Sequence, residues 1–295
     1  MSIKAWVLEI LALLGFNHPP SPSPHPHSPL LPRQQVCNGA SAFCSRQYSN
    51  VSLIGAHDSA FVGSIIDPRV NQEQPVAEQL DAGIRFLQAQ THVKGSGSSA
   101  MLAMCHTSRL ELDAGSLEAY LSTVKGWLDV RPNEVVMMLL VNGDNIDGSM
   151  FDTGFSNWPT YCELIADGKR LLMFLDAKAD ETKVPYILDE FTSFFATPYD
   201  TTDPNFAECT FNHPAGGSPD GRMYIINHFL DLDILSIDIQ DDVADGTTNA
   251  ATGGGSIGAQ AQLGEQMYGR PLNFVLVDMF DRGNVFAAQN ALNGV

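Results

Sequence analysis

The chain has 295 residues, of which 44% are hydrophobic, so a large core can be buried in a single domain. Only 17% of the residues are charged, and 34 Asp and Glu against 16 Lys and Arg leave a net charge of −18. A surface this acidic repels phosphate backbones, which argues against a nucleic-acid partner and against electrostatic docking on anionic membranes.

Residues 1–34 are predicted to lie outside the globular domain. The stretch 5–16 is apolar and follows Lys4, as in the core of a signal peptide, although Glu9 interrupts it. It is too short to span a bilayer. The next stretch, 17–33, is rich in Pro, Ser and His and predicts an extended linker. We therefore expect a secreted, extracellular protein with no stable membrane insertion.

The cysteines leave two interpretations open. No CxxC pair is present, so a zinc ribbon is not expected. In an oxidising compartment we expect a local Cys37–Cys44 disulfide and a second bridge between Cys162 and Cys209, with Cys105 free. The alternative is five reduced, buried thiols in a cytosolic protein.

Short apolar runs recur from residue 51 onward, and polar or acidic side chains follow them. The runs are continuous instead of alternating, which predicts strands buried on both faces, as in a parallel sheet covered by helices. The predicted strands are 51–56, 84–87, 101–105, 135–141, 171–175, 223–226 and 274–277.

Helical patterns separate several of these strands. In 116–129 the apolar residues recur at helical spacing and Ser116 is suited to cap the helix. Segments 184–195 and 285–292 have similar patterns. The stretches 200–222 and 231–255 are predicted to be long loops, in which the acidic residues Asp231, Asp233, Asp238, Asp241 and Asp242 form a solvated stretch.

The alternation of strands and helices indicates an α/β fold. No Rossmann phosphate loop follows the first strand, which favours a closed barrel over an open sheet. We predict one distorted TIM-type (β/α) barrel over 35–295, expected to be a monomer. In such barrels the active site lies at the C-terminal ends of the strands.

Two histidines stand at predicted strand ends. His57 follows the first strand in Gly55-Ala56-His57-Asp58-Ser59, and His106 follows the strand that ends at Cys105. Facing imidazoles can act as base and acid, because they titrate near neutral pH. Each needs a carboxylate to orient it, and Asp58 and Asp278 are suitably placed. The alternative is that both histidines are structural core residues.

Four motifs carry a family resemblance: Gly55-Ala56-His57-Asp58-Ser59, Gly83-Ile84-Arg85-Phe86-Leu87, Cys105-His106-Thr107 and Phe274-Val275-Leu276-Val277-Asp278. They resemble the X-domain motifs of phosphatidylinositol-specific phospholipases C, above all the fungal secreted branch of phospholipase-C-like phosphodiesterases, over residues 37–295. The resemblance implies a distorted TIM barrel that hydrolyses a phosphodiester or phospholipid head group. It also implies two steps through a cyclic inositol phosphate, without a covalent enzyme intermediate.

The resemblance also implies residue roles. By position, His57 is the general base oriented by Asp278, and His106 is the general acid oriented by Asp58. Bacterial members carry Asp-x-Arg after the second strand, and calcium-dependent members carry acidic ligands there. This chain has Gln88 and Gln90 instead, which donate hydrogen bonds but supply no charge to a phosphate.

Other polar residues near strand ends are candidates for substrate binding. The expected set is Arg85, Gln88, Gln90, His92, Asn142 and Asp176. Arg85, His92, Arg109 or an ion near Asn142 and Asp144 could compensate for the missing charge. No cofactor or metal is expected. Calcium near 142–147 is left open, although Ile146 occupies a ligand position of that stretch.

Two other functions are weighed against the hydrolase. The neutral Gln90 is compatible with a secreted ligand-binding barrel that has lost turnover. A glycosidase would use paired carboxylates such as Asp176 and Asp278, whose separation decides that hypothesis. The spacing Gly253-x-Gly255-x-x-Gly258 is interpreted as a loop, because no strand precedes it.

Overall fold

The computed structural model describes residues 35–96, 99–106, 112–144, 158–235 and 238–295. The predicted signal-like segment and linker at 1–34 lie outside the described residues, as do Arg109 and 145–147. Within the described ranges, no helix has the length and apolar character needed to cross a membrane.

Twelve strands and seven α-helices are formed by the described residues. The strands are β1 Leu53–Ala56, β2 Phe86–Lys94, β3 Met101–Cys105, β4 Asp113–Ser116, β5 Val136–Asn142, β6 Leu171–Leu175, β7 Ile187–Asp189, β8 Phe194–Ala196, β9 Met223–Asn227, β10 Asp231–Asp233, β11 Asp238–Gln240 and β12 Phe274–Val277. The helices are α1 Val76–Ala82, α2 Leu117–Asp129, α3 Tyr161–Ala166, α4 Glu190–Ser193, α5 Asp245–Thr248, α6 Ile257–Tyr268 and α7 Val285–Asn293.

Eight of the strands form one parallel sheet in the order β7-β6-β5-β2-β1-β12-β9-β8. The sheet curls into a half-barrel of TIM type, which confirms the predicted fold class. All eight strands run the same way, so their C-terminal ends share one edge, here called the mouth. Their N-terminal ends share the opposite edge, here called the floor.

The strands are buried on both faces, as their continuous apolar runs predict. Alternate side chains enter two cores. Phe86, Phe174, Phe194 and Phe274 pack edge to face inside the barrel, while Ile54, Leu87, Met138 and Val275 pack against the surrounding helices. Gly55 is required in the first motif, because a Cβ there would lie 2.5 Å from the Phe86 ring.

Two helix predictions are confirmed. Helix α2 begins after Ser116, whose side chain accepts a hydrogen bond from the Ala119 amide at 3.2 Å. Helix α7 covers the predicted segment 285–292. The stretch 184–195 is not one helix, so that prediction is wrong. It holds β7, the single turn α4 and β8, because short buried strands and a buried helix segment have the same apolar content.

The strand at 101–105 exists but is not a parallel barrel strand. It pairs antiparallel with the end of β2, with Thr91 opposite Met104, and β4 pairs antiparallel with it in turn. The excursion arises because β2 runs on past the residues that pair with β1. The stretch 231–255 also differs from the predicted loop, since it contains β10, β11 and α5.

The Cys37–Cys44 disulfide is confirmed, and Cys105 forms no disulfide with another described cysteine, as expected. The second predicted bridge is wrong, because Cys162 and Cys209 are both free. They belong to different parts of the fold. The Cys162 amide donates to the Cys44 carbonyl at 3.0 Å, whereas the Cys209 thiol lies 3.8 Å from the Gln260 carbonyl of α6.

Candidate active site

The pairing of β1 with β12 places the first imidazole beside a carboxylate. The His57 amide donates to the Val277 carbonyl at 2.9 Å, so both strands end at the same level. Asp278 is the next residue after β12, and its Oδ1 lies 2.8 Å from His57 Nδ1. The His57 ring is therefore oriented by a buried carboxylate on the neighbouring strand.

Asp58 lies between the two imidazoles. Its Oδ2 is 3.2 Å from His106 Nε2 and 3.8 Å from His57 Nε2. The Asp58 backbone has φ of +41°, and Met279, directly after Asp278, has φ of +38°. Non-glycine residues with positive φ are uncommon, and they cluster at functional sites. Both sharp turns come directly at the strand ends that carry the site.

His106 reaches the mouth through the excursion of β2 and β3. Because β3 runs antiparallel to β2, its end at Cys105 returns toward the rim of the barrel. The His106 amide donates to the Leu112 carbonyl at 3.1 Å, and its ring meets the edge of Phe61 with centroids 5.1 Å apart. The histidines meet as the sequence predicts, but one of them arrives on a hairpin instead of a barrel strand.

Comparison with known proteins fits this geometry. The family model described as PI-PLC X 1 matches residues 43–157 and 154–293. A protein of Arthroderma benhamiae named "PI-PLC X domain-containing protein 1" is 47% identical over 279 residues, which cover 88% of this chain and 90% of that protein. This chain belongs to the PI-PLC X family.

A second Arthroderma benhamiae relative, named "Uncharacterized secreted protein", is 39% identical over 277 residues. The match covers 84% of this chain and only 61% of that longer relative. Among solved structures, a mutant of the phosphatidylinositol-specific phospholipase C from Staphylococcus aureus superimposes with a TM-score of 0.50 at 12% identity. The superposition covers 80% of this chain and 88% of that protein, which supports the barrel fold.

The carboxylates determine the protonation of His57 in this PI-PLC X chain. Burial lowers the pKa of the imidazole, but Asp278 and Asp58, with a smaller contribution from Asp231, outweigh it and raise that pKa to about 9. Burial raises the pKa of Asp278, which the His57 contact opposes. In the free protein at neutral pH, His57 is therefore cationic.

Asp231, Asp242 and Asp245 lie close enough to this pair to be affected by its charge. The predicted solvated stretch is therefore only partly correct, because Asp233 and Asp238 are exposed whereas Asp242 is buried. Burial, with Asp278 as a further cause, raises the pKa of Asp231 to about 7, of Asp242 to about 6 and of Asp245 to about 8. Asp245 is only 2% exposed and its Oδ2 is buried without a hydrogen-bond partner among the described residues. Acidic composition alone gave no sign of this burial.

The two glutamines of β2 lie at the site and contact Asp58. Gln88 Oε1 accepts a hydrogen bond from the Asp58 amide at 2.7 Å, and Gln90 Nε2 donates to Asp58 Oδ2 at 2.8 Å. These groups do not fit a calcium site at this position, because an amide oxygen already engaged and an amide nitrogen directed at the carboxylate are poor ligands for a hard cation.

Three further candidates lie at the mouth beside β5 and β6. Asp176 Oδ1 accepts from the Asn142 amide at 2.7 Å, and burial raises the pKa of Asp176. His92 Nδ1 lies 3.2 Å from Asp144 Oδ1 on the extended part of β2. These contacts form two separate polar pairs on the rim, Asn142 with Asp176 and His92 with Asp144.

Arg85 is not at the site, which corrects the sequence-based expectation. It directly precedes β2 and therefore lies at the floor. Its Nε donates to Glu134 Oε2 at 2.8 Å, and its Nη1 donates to the Leu80 and Ile84 carbonyls. A guanidinium held in this way at the opposite edge of the sheet cannot neutralise a phosphate at the mouth.

Sequence reasoning missed three residues around His57. The Phe229 ring stacks on the imidazole with centroids 3.7 Å apart and planes 5° apart. Asn71 Nδ2 donates to both oxygens of Asp278 and to Gln240 Oε1. Phe229 comes two residues after the polar residue that ends β9, so its position near the mouth could have been predicted from the sequence. Asn71 lies in an irregular segment and Gln240 ends the short strand β11, and no pattern in the sequence marks either residue.

Proposed function

We propose that this protein is a phosphoric diester hydrolase of the phosphatidylinositol-specific phospholipase C type that acts on a phosphoinositide or a related phosphodiester. The observation that supports it is the carboxylate shared between two imidazoles, with Asp58 Oδ2 at 3.2 Å from His106 and 3.8 Å from His57. Family membership and the barrel fold support the same reaction class.

In the proposed first step His57 Nε2 removes the proton from an attacking hydroxyl of the head group. The hydroxyl oxygen forms a bond to phosphorus, and the bond from phosphorus to the leaving oxygen breaks. His106 donates its proton to that oxygen, and a cyclic phosphate results. In the second step the roles reverse, and water opens the ring. Asp278 accepts a hydrogen bond from the Nδ1–H group of His57 and keeps Nε2 directed at the substrate.

The raised pKa of His57 predicts that the pH profile of kcat/KM rises into the alkaline range. A general base must be deprotonated, and the pKa of about 9 keeps most of the imidazole protonated at pH 7. We therefore expect kcat/KM to increase with pH up to about 9. A limb near the ordinary histidine value would contradict the assignment of His57 as the base.

The test is turnover of phosphatidylinositol by purified protein, with phosphorus NMR to detect the cyclic phosphate, in chelator and in calcium. His57→Ala and His106→Ala should each lower turnover by about 10²- to 10⁴-fold, because each removes a proton-transfer group. His213→Ala is the matched control, since that histidine packs against Phe191 and Tyr199. Wild-type turnover in His57→Ala would refute the mechanism.

A second candidate function is a ligand-binding barrel without turnover. The neutral Gln90, whose amide donates to Asp58, favours it. Calorimetric binding of an inositol phosphate, without cleavage of any phosphodiester by the wild-type protein, would establish this candidate and exclude the hydrolase.

Secretion as a monomer completes the proposal. The Cys37–Cys44 disulfide and a relative named a secreted protein support an oxidising compartment. Expression of the full chain in a fungal host, with N-terminal sequencing of protein from the medium, tests export and processing. Sedimentation of the same material tests the monomer, and retention inside the cells would contradict secretion.

A further inference from the structure

A small hairpin stands over the site and is separate from the barrel sheet. Strands β10 and β11 pair only with each other, with Asp231 opposite Gln240, within the described residues. We call residues 231–235 and 238–240, the described part of this segment, the site hairpin. Its two ends are joined at the base, because the Asp241 amide donates to the Leu230 carbonyl at 2.7 Å.

The entry side of the site hairpin covers one face of the proposed base. Phe229 lies two residues before β10 and is only 5% exposed. Its ring is nearly parallel to the His57 ring at a centroid separation of 3.7 Å. A cationic ring over an aromatic face is stabilised by the quadrupole of that face. Phe229 therefore both excludes water from the imidazole and favours its protonated form.

The exit side reaches the same imidazole through two amides. Gln240, the last residue of β11, accepts from Asn71 Nδ2 at 2.7 Å and donates to Asp242 Oδ1 at 2.6 Å. Asn71 Nδ2 lies 3.2 and 3.3 Å from the Asp278 oxygens and 3.4 Å from His57 Nδ1. Gln240 thus fixes the Asn71 amide where it contacts the His57–Asp278 pair.

We propose that Phe229 and Gln240 are positioning residues through which the site hairpin holds His57 against Asp278 from two sides. The reaction that this geometry serves rests on the proposed function, whereas the positioning itself is a property of the folded protein. Both contacts come from the joined ends of one hairpin, so its placement and the orientation of the base are coupled.

Three titratable groups face His57, and each comes from a different element. Asp58 follows β1, Asp278 follows β12, and Asp231 begins β10. The first two follow barrel strands and do not belong to the site hairpin. A change in the His57 titration in variants of Phe229 or Gln240 therefore reports the hairpin contacts.

The first experiment is an NMR titration of ring-labelled histidine in the full chain. Phe229→Leu keeps an apolar cover but removes the aromatic face, so the pKa of His57 should decrease by about half a unit to one unit. Phe229→Tyr should restore the wild-type value. Leu235→Ser is the control, because this hairpin residue is 94% exposed. An unchanged His57 titration in Phe229→Leu would overturn the role of Phe229.

The second experiment follows the hydrogen-bonded Nδ1 proton of His57. Gln240→Met removes the amide's contacts with Asn71, Asp242 and the Val70 carbonyl. The Nδ1 proton should then exchange faster with water and its signal should broaden, whereas Leu235→Ser should leave it sharp. An equally sharp signal in Gln240→Met would overturn the role of Gln240. If Phe229→Leu does not fold, Phe229→Met replaces it in the titration.

Different results would contradict the proposed function and the proposed positioning of His57. If wild-type protein does not cleave phosphatidylinositol but both NMR changes occur, the proposed function is wrong and the positioning stands. If wild-type protein cleaves it and neither NMR change occurs, the hydrolase stands and the positioning is wrong.

Discussion

Buried charged groups have different environments at the floor and at the mouth of the barrel. At the floor, Arg85 forms an ion pair with Glu134 at 2.8 Å, donates to two backbone carbonyls and lies 4.7 Å from the centre of the Trp127 ring. At the mouth, Asp231, Asp242 and Asp245 surround the His57–Asp278 pair, and Asp278 contributes to raising the pKa of each.

The difference separates groups that stabilise the fold from groups available for chemistry. A charge whose hydrogen bonds are all satisfied has little capacity to act on a substrate. At the mouth, burial and neighbouring charges raise the pKa values of Asp231, Asp242 and Asp245 to about 7, 6 and 8. Perturbed pKa values of this kind cluster at functional sites. Burial alone does not distinguish the two regions, because Arg85 and Asp245 are both buried.

The largest expected effect is at the mouth. Asp58→Asn removes the charge shared by both imidazoles, and asparagine tolerates the positive φ of this position, so the fold should be kept. Turnover of phosphatidylinositol should decrease about a thousandfold, as for loss of an acid–base partner. Asp167→Asn, on an exposed turn, is the control. Near-normal turnover in Asp58→Asn would contradict a role of the shared carboxylate in turnover.

The next effect is at the floor. Arg85→Ala leaves Glu134 without its partner, so chemical denaturation should show a loss of about 3 kcal/mol in the free energy of unfolding. Turnover measured below the unfolding range should not change. The double variant Arg85→Met, Glu134→Leu should recover most of the stability. Loss of turnover in folded Arg85→Ala would contradict the separation of floor and mouth.

The smallest effect concerns Asp245 and pH. Its folded pKa of about 8 lies above the ordinary value of 3.8, so the folded state binds the proton more tightly. This contribution to stability is complete below pH 4 and is lost as the pH rises through about 8. Asp245→Asn carries no charge and should reduce the decrease in Tm between pH 5 and 9 by a few degrees.

The matched control for that measurement is Asp233→Asn, because Asp233 is exposed on β10. It should show the same pH dependence of Tm as the wild-type protein. An unchanged pH dependence in Asp245→Asn would mean that the buried carboxyl is not protonated in the folded protein.

The barrel strands and the principal site residues could be predicted from sequence because their signals are local. A short continuous apolar run such as 171–175, followed directly by a polar residue, is typical of a buried strand. A polar residue directly after such a run lies at the mouth by topology, which located His57 and Asp278. Local patterns failed at 184–195, where short strands resemble a buried helix. They also failed for Arg85, because the end of the strand at which a residue lies decides whether it is at the floor or at the mouth.

What sequence by itself determined here is the α/β barrel, the local disulfide and the set of strand-end residues, since each follows from the order of neighbouring side chains. Tertiary structure alone decided that His106 arrives on an antiparallel hairpin, that Asp242 and Asp245 are buried, and that Phe229 and Asn71 contact the His57 pair. These features join segments far apart in the chain. Burial and electrostatic coupling depend on distance in space, which one-dimensional patterns do not contain.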